Sequence, residues 1–125
     1  MNFLDFHKFI EFVDRVTDEV SKSVNEYFDS NFLNKRFKVD GTIVTDADLN
    51  AEKYIRDQIK NFFPGHGILG EELDDELIND ENKWVVDPID GTFSFAKGVP
   101  LFGTLIGFIQ KEIPLYGSLR LPKLG

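Results

Sequence analysis

The stretch Lys83 to Phe95, with the sequence KWVVDPIDGTFSF, constrains the fold more than any other part of the chain. Three apolar residues typical of a buried strand run directly into two aspartates, which stand three positions apart around a proline. Proline has a fixed φ angle and no N–H, and this favours the exit of a strand over its continuation. We therefore predict a strand from Trp84 to Val86 that stops at Asp87, with the carboxylates of Asp87 and Asp90 turned to one side.

Apolar periodicity predicts two amphipathic helices before this strand. The first runs from Asn2 to about Ser30, and the second follows a cap at Thr45 or Asp46 and ends at Pro64-Gly65. The positions expected to face the core recur at helical spacing: Phe6, Ile10, Val13, Val20, Val24 and Tyr27 in the first helix, and Ala51, Tyr54, Ile55, Ile59 and Phe62 in the second.

Short strand-like runs account for most of the remaining chain. The Asp-Gly pair within 37–45 predicts a tight hairpin, and 65–73 predicts a short strand that ends in acids, followed by a surface loop or short helix. The runs 101–110 and 113–121 predict an antiparallel pair joined by Lys111-Glu112. The 125 residues, 42% of them apolar, suffice for one domain spanning 1–125. The predicted class is α+β, with two helices layered on a mainly antiparallel sheet.

The net charge limits the classes of partner that the chain could bind, and the absence of cysteine limits the ligands that it could offer a metal ion. Twenty-two acidic and 14 basic residues give a net charge of -8, which disfavours nucleic acid or an anionic membrane as a partner. No run approaches the roughly 18 apolar residues of a membrane span. The acids near the N-terminus do not fit a secretory signal, so we expect a cytoplasmic protein. Because the chain has no cysteine, a metal would be held by oxygen or histidine ligands.

Polar groups gather where the predicted strands end. Glu71 and Glu72 follow the flexible Gly70, and Gly91-Thr92 after the second aspartate can offer backbone N–H groups to an anion such as phosphate. Acids beside an anion site call for a cation between them, and oxygen ligands favour Mg²⁺ or Mn²⁺. By itself, however, Asp-Pro-x-Asp-Gly is more often a structural turn.

Three blocks together resemble the inositol monophosphatase family: KVDGTIVTDAD at 38–48, GILGEE at 67–72 and WVVDPIDGTFSF at 84–95. The resemblance covers roughly residues 35–125, and GHGILGEE with PLFGTLIGF is similar to the histidinol-phosphate phosphatase branch. It implies the N-terminal half of the family's αβαβα sandwich. It also implies Mg²⁺-dependent hydrolysis of a small phosphorylated metabolite by water attack assisted by two metal ions. Inositol phosphate, histidinol phosphate, fructose bisphosphate and adenosine bisphosphate all stay open as substrates.

The resemblance also implies roles for individual residues. Glu71, Asp87, Asp90 and the carbonyl of Ile89 would hold the metal ions, with Asp87 bridging the two. The backbone amides of Gly91 and Thr92 would bind the phosphate.

A dyad completes the implied catalytic set. The hydroxyl of Thr92, paired with Asp48, would orient the attacking water and help to deprotonate it. Glu71 joins these two residues as a catalytic residue.

One departure from the family is large. The Trp-Asp motif of the family's second half, whose aspartate completes the second metal site, has no match here, since Trp84 is the only tryptophan. We therefore expect this chain alone to be weakly active or inactive. We also expect a homodimer. The alternative is a non-catalytic fragment or degenerate relative that serves as a metal-binding or dimerisation module. A Trp-Asp motif in the gene beyond Gly125 would decide between the two.

Four other polar residues have simple expectations. His7 and His66 are expected at the surface. Lys38 resembles the family's lysine before the Asp-Gly hairpin, which pairs with active-site acids or an extra metal site, and it is equally compatible with a solvated hairpin lysine. Glu72 either supports the metal ligands or is merely exposed. The phenylalanines of the first helix are expected in the core or an interface rather than in a ligand groove.

Overall fold

A computed structural model describes residues 4–30, 35–37, 43–76, 81–90 and 102–123, with side chains for all of these except 27–30, 35–37, 43–45 and 90. In chain order the elements are α1 (Phe6–Ser30), β1 (Lys35–Phe37), β2 (Ile43–Thr45), α2 (Asp46–Phe62), β3 (Gly67–Gly70), β4 (Asn82–Asp90), β5 (Gly103–Gln110) and β6 (Ile113–Arg120). The two predicted helices and the predicted strands are thus confirmed. None of the described helices is long and apolar enough to cross a membrane.

The strands form a short hairpin and a four-stranded sheet. β1 and β2 pair in an antiparallel fashion, as predicted, although the Asp-Gly turn between them lies outside the described residues. The larger sheet has the order β3-β4-β5-β6. β3 runs parallel to β4, whereas β4 with β5 and β5 with β6 are antiparallel. The expectation of a mainly antiparallel sheet under two helices is therefore confirmed.

Helix α1 begins later than predicted because Asp5 caps it. The Asp5 carboxylate accepts a hydrogen bond of 2.8 Å from the backbone N–H of Lys8, three residues on, as an N-cap side chain does. The predicted buried stripe is wrong in part, since Phe6 and Ile10 are 54% and 37% exposed. The stripe that packs inward consists of Phe9, Phe12, Val13, Val16, Val20 and Val24. Apolar residues on two adjoining faces of α1 made both stripes compatible with helical spacing.

Helix α2 buries the predicted Ala51, Ile55 and Ile59, whereas Phe62 is exposed at its last turn. The same buried face also carries two charged residues, Glu52 and Arg56. α2 packs against β4, and α1 packs against α2 and β6. Both helices therefore cover the same face of the sheet.

The centre of the core is Trp84 in β4, which has no exposed surface. Its ring centroid lies 5.8 Å from that of Phe9, 5.2 Å from that of Phe12 and 5.0 Å from that of Phe108. Aromatic side chains from α1 and β5 thus meet on β4 and fix the strand whose end carries the predicted metal ligands.

The prediction that this strand stops at Asp87 is wrong, because β4 continues to Asp90. Asp87 lies opposite Leu105 and Asp90 opposite Gly103, with a shift of register between the two pairs. An irregularity of this kind tolerates a residue without an N–H, and Pro88 lies within it. The two aspartates are therefore set by a bulge inside a paired strand and not by a free turn.

Candidate active site

The ends of β3 and β4 bring two predicted site residues to neighbouring positions. Gly70 is the register partner of Val86 in the parallel pair. The backbone N–H of Glu71 then donates a hydrogen bond of 3.1 Å to the carbonyl oxygen of Val86. Since Asp87 follows Val86 directly, the two acidic residues occupy matching positions on adjacent strands, which lie about 4.8 Å apart.

The bulge in β4 is held from the neighbouring strand. The hydroxyl of Thr104 in β5 donates a buried hydrogen bond of 2.8 Å to the carbonyl oxygen of Pro88. Ile89 is 2% exposed, so its side chain anchors this segment in the core. Asp87 is half-buried, and Glu71 is exposed. The Ile89 side chain packs inward, whereas the carboxylates of Asp87 and Glu71 lie nearer the surface. This arrangement is compatible with the predicted use of the Ile89 carbonyl as a ligand.

Asp48 lies in the first turn of α2 and has no exposed surface. A carboxylate in the first turn of a helix is favoured by the helix dipole and by the unpaired N–H groups there. Thr92, its predicted partner in water activation, lies outside the described residues, as do Gly91, which is predicted to bind the phosphate, and Lys38.

The donor set near β3 and β4 fits a hard cation. Glu71 and Asp87 carry carboxylate oxygens, the ligands that Mg²⁺ prefers, and the sequence has no cysteine. Among the side chains that the structure describes, no group of three or more histidines and acids could hold one metal ion. Asp90, the third predicted carboxylate, is described only in its backbone.

A buried ion pair, which the sequence pattern did not predict, contacts the segment 71–74, called here the Glu71 loop. Glu52 and Arg56, one turn apart on α2, are 0% and 3% exposed, and Arg56 Nη2 lies 2.9 Å from Glu52 Oε2. Arg56 Nε donates a second hydrogen bond of 2.9 Å to the same oxygen. The available signal was a Glu and an Arg four residues apart among the buried positions of an amphipathic helix.

The same two side chains bind the backbone just after Glu71. Glu52 accepts hydrogen bonds from the N–H groups of Glu72, at 2.7 Å, and Leu73, at 2.9 Å. Arg56 donates to the carbonyl oxygens of Leu73, at 2.9 Å, and Asp74, at 2.6 Å. The half-buried Glu72 thus contacts α2 through its backbone.

The expectation that His66 lies at the surface is wrong, whereas His7 is exposed as predicted. His66 is 5% exposed, and its Nδ1 accepts a hydrogen bond of 3.0 Å from the indole N–H of Trp84. Burial lowers the pKa of His66 below its ordinary value, because the charged form loses its hydration. The turn that follows α2 therefore supplies a residue of the core.

Comparisons with known proteins agree with the motifs. A family model described as the inositol monophosphatase family matches residues 5–125. A histidinol-phosphatase of Chlorobaculum parvum is 39% identical over 110 residues, which are 88% of this chain and 42% of that protein. A histidinol-phosphatase of Mycobacterium tuberculosis is 40% identical over 87 residues, which are 70% of this chain and 34% of that protein.

A solved structure of an IMPase from Thermotoga maritima superposes with a TM-score of 0.85 at 28% identity. The match covers 92% of this chain and 44% of that one. The chain thus spans less than half the length of the relatives that it matches.

Proposed function

The chain belongs to the inositol monophosphatase family, and from that membership we propose that it forms the N-terminal half of a Mg²⁺-dependent phosphatase. The proposed reaction is hydrolysis of a small phosphate monoester to inorganic phosphate and an alcohol. The observation that carries the proposal is the hydrogen bond from Glu71 to Val86, because it sets two carboxylate-bearing residues side by side where β3 ends.

The proposed ligands of Mg²⁺, or of Mn²⁺ in its place, are Glu71, Asp87, Asp90 and the carbonyl oxygen of Ile89. When bound, the cations supply charge that neutralises the phosphate and lowers the pKa of water. The parallel pairing of β3 with β4 and the bulge around Pro88 support this set, since they fix the backbones from which the ligands come.

The remaining steps belong to side chains and amides of the chain itself. The backbone N–H groups of Gly91 and Thr92 hold the phosphate oxygens, and the Thr92 hydroxyl accepts a hydrogen bond from the attacking water. Asp48 accepts the hydrogen bond that the Thr92 hydroxyl donates, and a buried carboxylate is a suitable partner for that role. The water oxygen forms a bond to phosphorus and gives up a proton through the Thr92 hydroxyl to Asp48, while the bond from phosphorus to the ester oxygen breaks and that oxygen takes a proton from solvent water.

Histidinol phosphate is the first proposed substrate, and inositol monophosphate is the second. Two relatives at about two-fifths identity are named histidinol-phosphatase, which supports this order. We also propose a cytoplasmic homodimer. The second candidate function is a metal-binding or dimerisation module without catalysis, which the exposed apolar residues of β6 favour.

The test is an enzyme assay on a chimera that joins residues 1–125 to the remaining portion of the Chlorobaculum parvum histidinol-phosphatase. We expect phosphate release from histidinol phosphate that needs Mg²⁺ and is abolished by a chelator. A matched chimera with Asp87→Asn should be inactive, while one with Lys60→Gln, an exposed position on α2, should be fully active. Release that survives the chelator or the Asp87 substitution would contradict the proposal.

A further inference from the structure

The Glu71 loop is held mainly by hydrogen bonds and little by burial. Glu71 is exposed, and Leu73 is an exposed apolar residue at 37%. A segment with so little buried side-chain surface gains its order from the contacts of its backbone. Those contacts come from β4 on one side and from the Glu52 and Arg56 pair on the other.

The two peptide groups that flank Glu71 are both fixed. The peptide before it is held because its N–H donates to Val86, and the peptide after it is held because the N–H of Glu72 donates to Glu52. With both planes fixed, the φ and ψ angles of Glu71 have little freedom, and the direction of its Cα–Cβ bond is set. The position of the Glu71 carboxylate then depends only on the torsion angles of its own side chain.

Both side chains of the ion pair make hydrogen bonds to the backbone of the Glu71 loop. A buried ion pair by itself is weak evidence for stability, because desolvation offsets the attraction of the charges. Here the carboxylate and the guanidinium together make four further hydrogen bonds to the backbone of residues 72–74. The planar guanidinium presents its N–H groups in a fixed fork, so Arg56 can bond the Glu52 carboxylate and two carbonyl oxygens at once.

Gly70 completes the arrangement by leaving room for the pair. A Cβ atom at Gly70 would collide with Arg56 Nη2 and with the carboxylate of Glu52. The strand end, the ion pair and the loop are thus packed against one another with no space for a methyl group.

We propose that Glu52 and Arg56 are positioning residues. They fix the backbone of residues 72–74, directly after Glu71, so that the Glu71 carboxylate stays beside Asp87. The inference rests on the proposed function, because it takes Glu71 to be a metal ligand. Loss of these contacts should weaken metal binding by about tenfold, the lower end of the range for residues that orient metal ligands.

The experiment measures Mn²⁺ affinity by titration calorimetry and the exchange of the Glu72 and Leu73 amides by hydrogen exchange, all in the 125-residue chain. Glu52→Gln keeps the shape but removes one of the two acceptor oxygens. Gly70→Ala displaces the Glu52 and Arg56 side chains without removing a charge. It therefore tests the positioning role if circular dichroism shows that Glu52→Gln fails to fold. Lys22→Gln is the control, since it breaks the exposed ion pairs of Lys22 with Asp18 and Glu19 on α1.

We expect both test variants to exchange the two amides faster and to bind Mn²⁺ about tenfold more weakly, with the control unchanged. Unchanged exchange, or faster exchange with wild-type affinity, would overturn the positioning role. Glu71→Gln separates the two ideas. If it binds Mn²⁺ as the wild type does, the proposed metal site fails and the positioning role fails with it. If it loses affinity while Glu52→Gln and Gly70→Ala do not, only the positioning role fails.

Discussion

The backbone N–H of Glu71 is hydrogen-bonded to the carbonyl oxygen of Val86 over 3.1 Å, across the only parallel pairing in the described sheet. An antiparallel neighbour would have brought the start of one strand to the end of the other. The parallel arrangement instead places both strand ends, and the acid that follows each, at one edge. The proposed metal ligands Glu71 and Asp87, which are 16 residues apart in sequence, are therefore adjacent through backbone pairing.

Replacing Asp87 by Asn should weaken Mg²⁺ binding by at least about tenfold, because even residues that only orient metal ligands contribute that much. Titration calorimetry on the 125-residue chain measures the affinity. Asp14→Asn, at an exposed position of α1, is the control for the loss of one negative charge. Equal affinities for the wild type and Asp87→Asn would show that Asp87 is a structural residue of the bulge.

Replacing Thr92 by Ala in the active chimera should lower turnover by about 10²-fold or more, since a positioned proton acceptor typically contributes 10²–10⁴. The Michaelis constant should change little, because the phosphate is held by backbone amides that alanine retains. Steady-state kinetics separates the two parameters, with Thr92→Ser as the variant that keeps the hydroxyl. Turnover that is the same in the alanine and serine variants would exclude the hydroxyl from the reaction.

Local sequence patterns predicted most elements of the fold, because capping, periodicity and turn chemistry act within a few residues. The hairpin of β5 and β6 was found although its turn, Lys111-Glu112, has no glycine. The strand after α2 was found through its glycines and the acids that follow. Both patterns lie inside a single short segment of the chain.

The features that were missed depend on partners distant in sequence. His66 sits in a Pro-Gly turn that resembles a surface loop, and only Trp84, 18 residues later, makes it a core residue. The charges of Glu52 and Arg56 are tolerated in the core because the backbone of residues 72–74 satisfies them. Such compensation cannot be inferred from helical spacing alone.

The face of the sheet away from the helices should cause self-association. Ile113, Leu115 and Leu119 alternate along the edge strand β6 and are 60%, 42% and 55% exposed, with Val85 of β4 at 38%. We expect a dimer in analytical ultracentrifugation, favoured by added salt because a net charge of -8 opposes the approach of two copies. Leu115→Lys with Leu119→Lys should give a monomer. A wild-type chain that is monomeric at every concentration would refute the prediction.

The turn between β5 and β6 offers a stabilising substitution. Lys111 and Glu112 have φ angles of 50° and 65°, the left-handed conformation of a type I′ hairpin that favours Asn and Gly. Lys111→Asn should raise the free energy of unfolding by about 0.5–1 kcal/mol, as relief of an unfavourable backbone conformation does. Urea unfolding measures this, with Lys111→Ala as the control that lacks the amide. Glu112 is left in place, because it accepts a hydrogen bond of 2.6 Å from Lys83.

The buried histidine should make the core sensitive to acid. His66 Nδ1 accepts from Trp84, so the neutral ring carries its proton on Nε2, and protonation of Nδ1 would break the bond. Burial lowers the pKa of His66 in the folded chain below the value of about 6.5 in the unfolded one. The unfolded state therefore takes up a proton first as the pH falls. His66 should stabilise the fold fully above its unfolded pKa, and this contribution should decline below it by up to about 1.4 kcal/mol per pH unit.

His66→Asn keeps an acceptor oxygen for the indole and does not titrate, so its unfolding free energy should fall less steeply below that pKa, while the exposed His7→Asn should follow the wild type. Trp84, the only tryptophan, reports the change through its fluorescence in urea titrations at a series of pH values. Parallel pH profiles for the wild type and His66→Asn would show that the buried imidazole does not govern the acid sensitivity of the core.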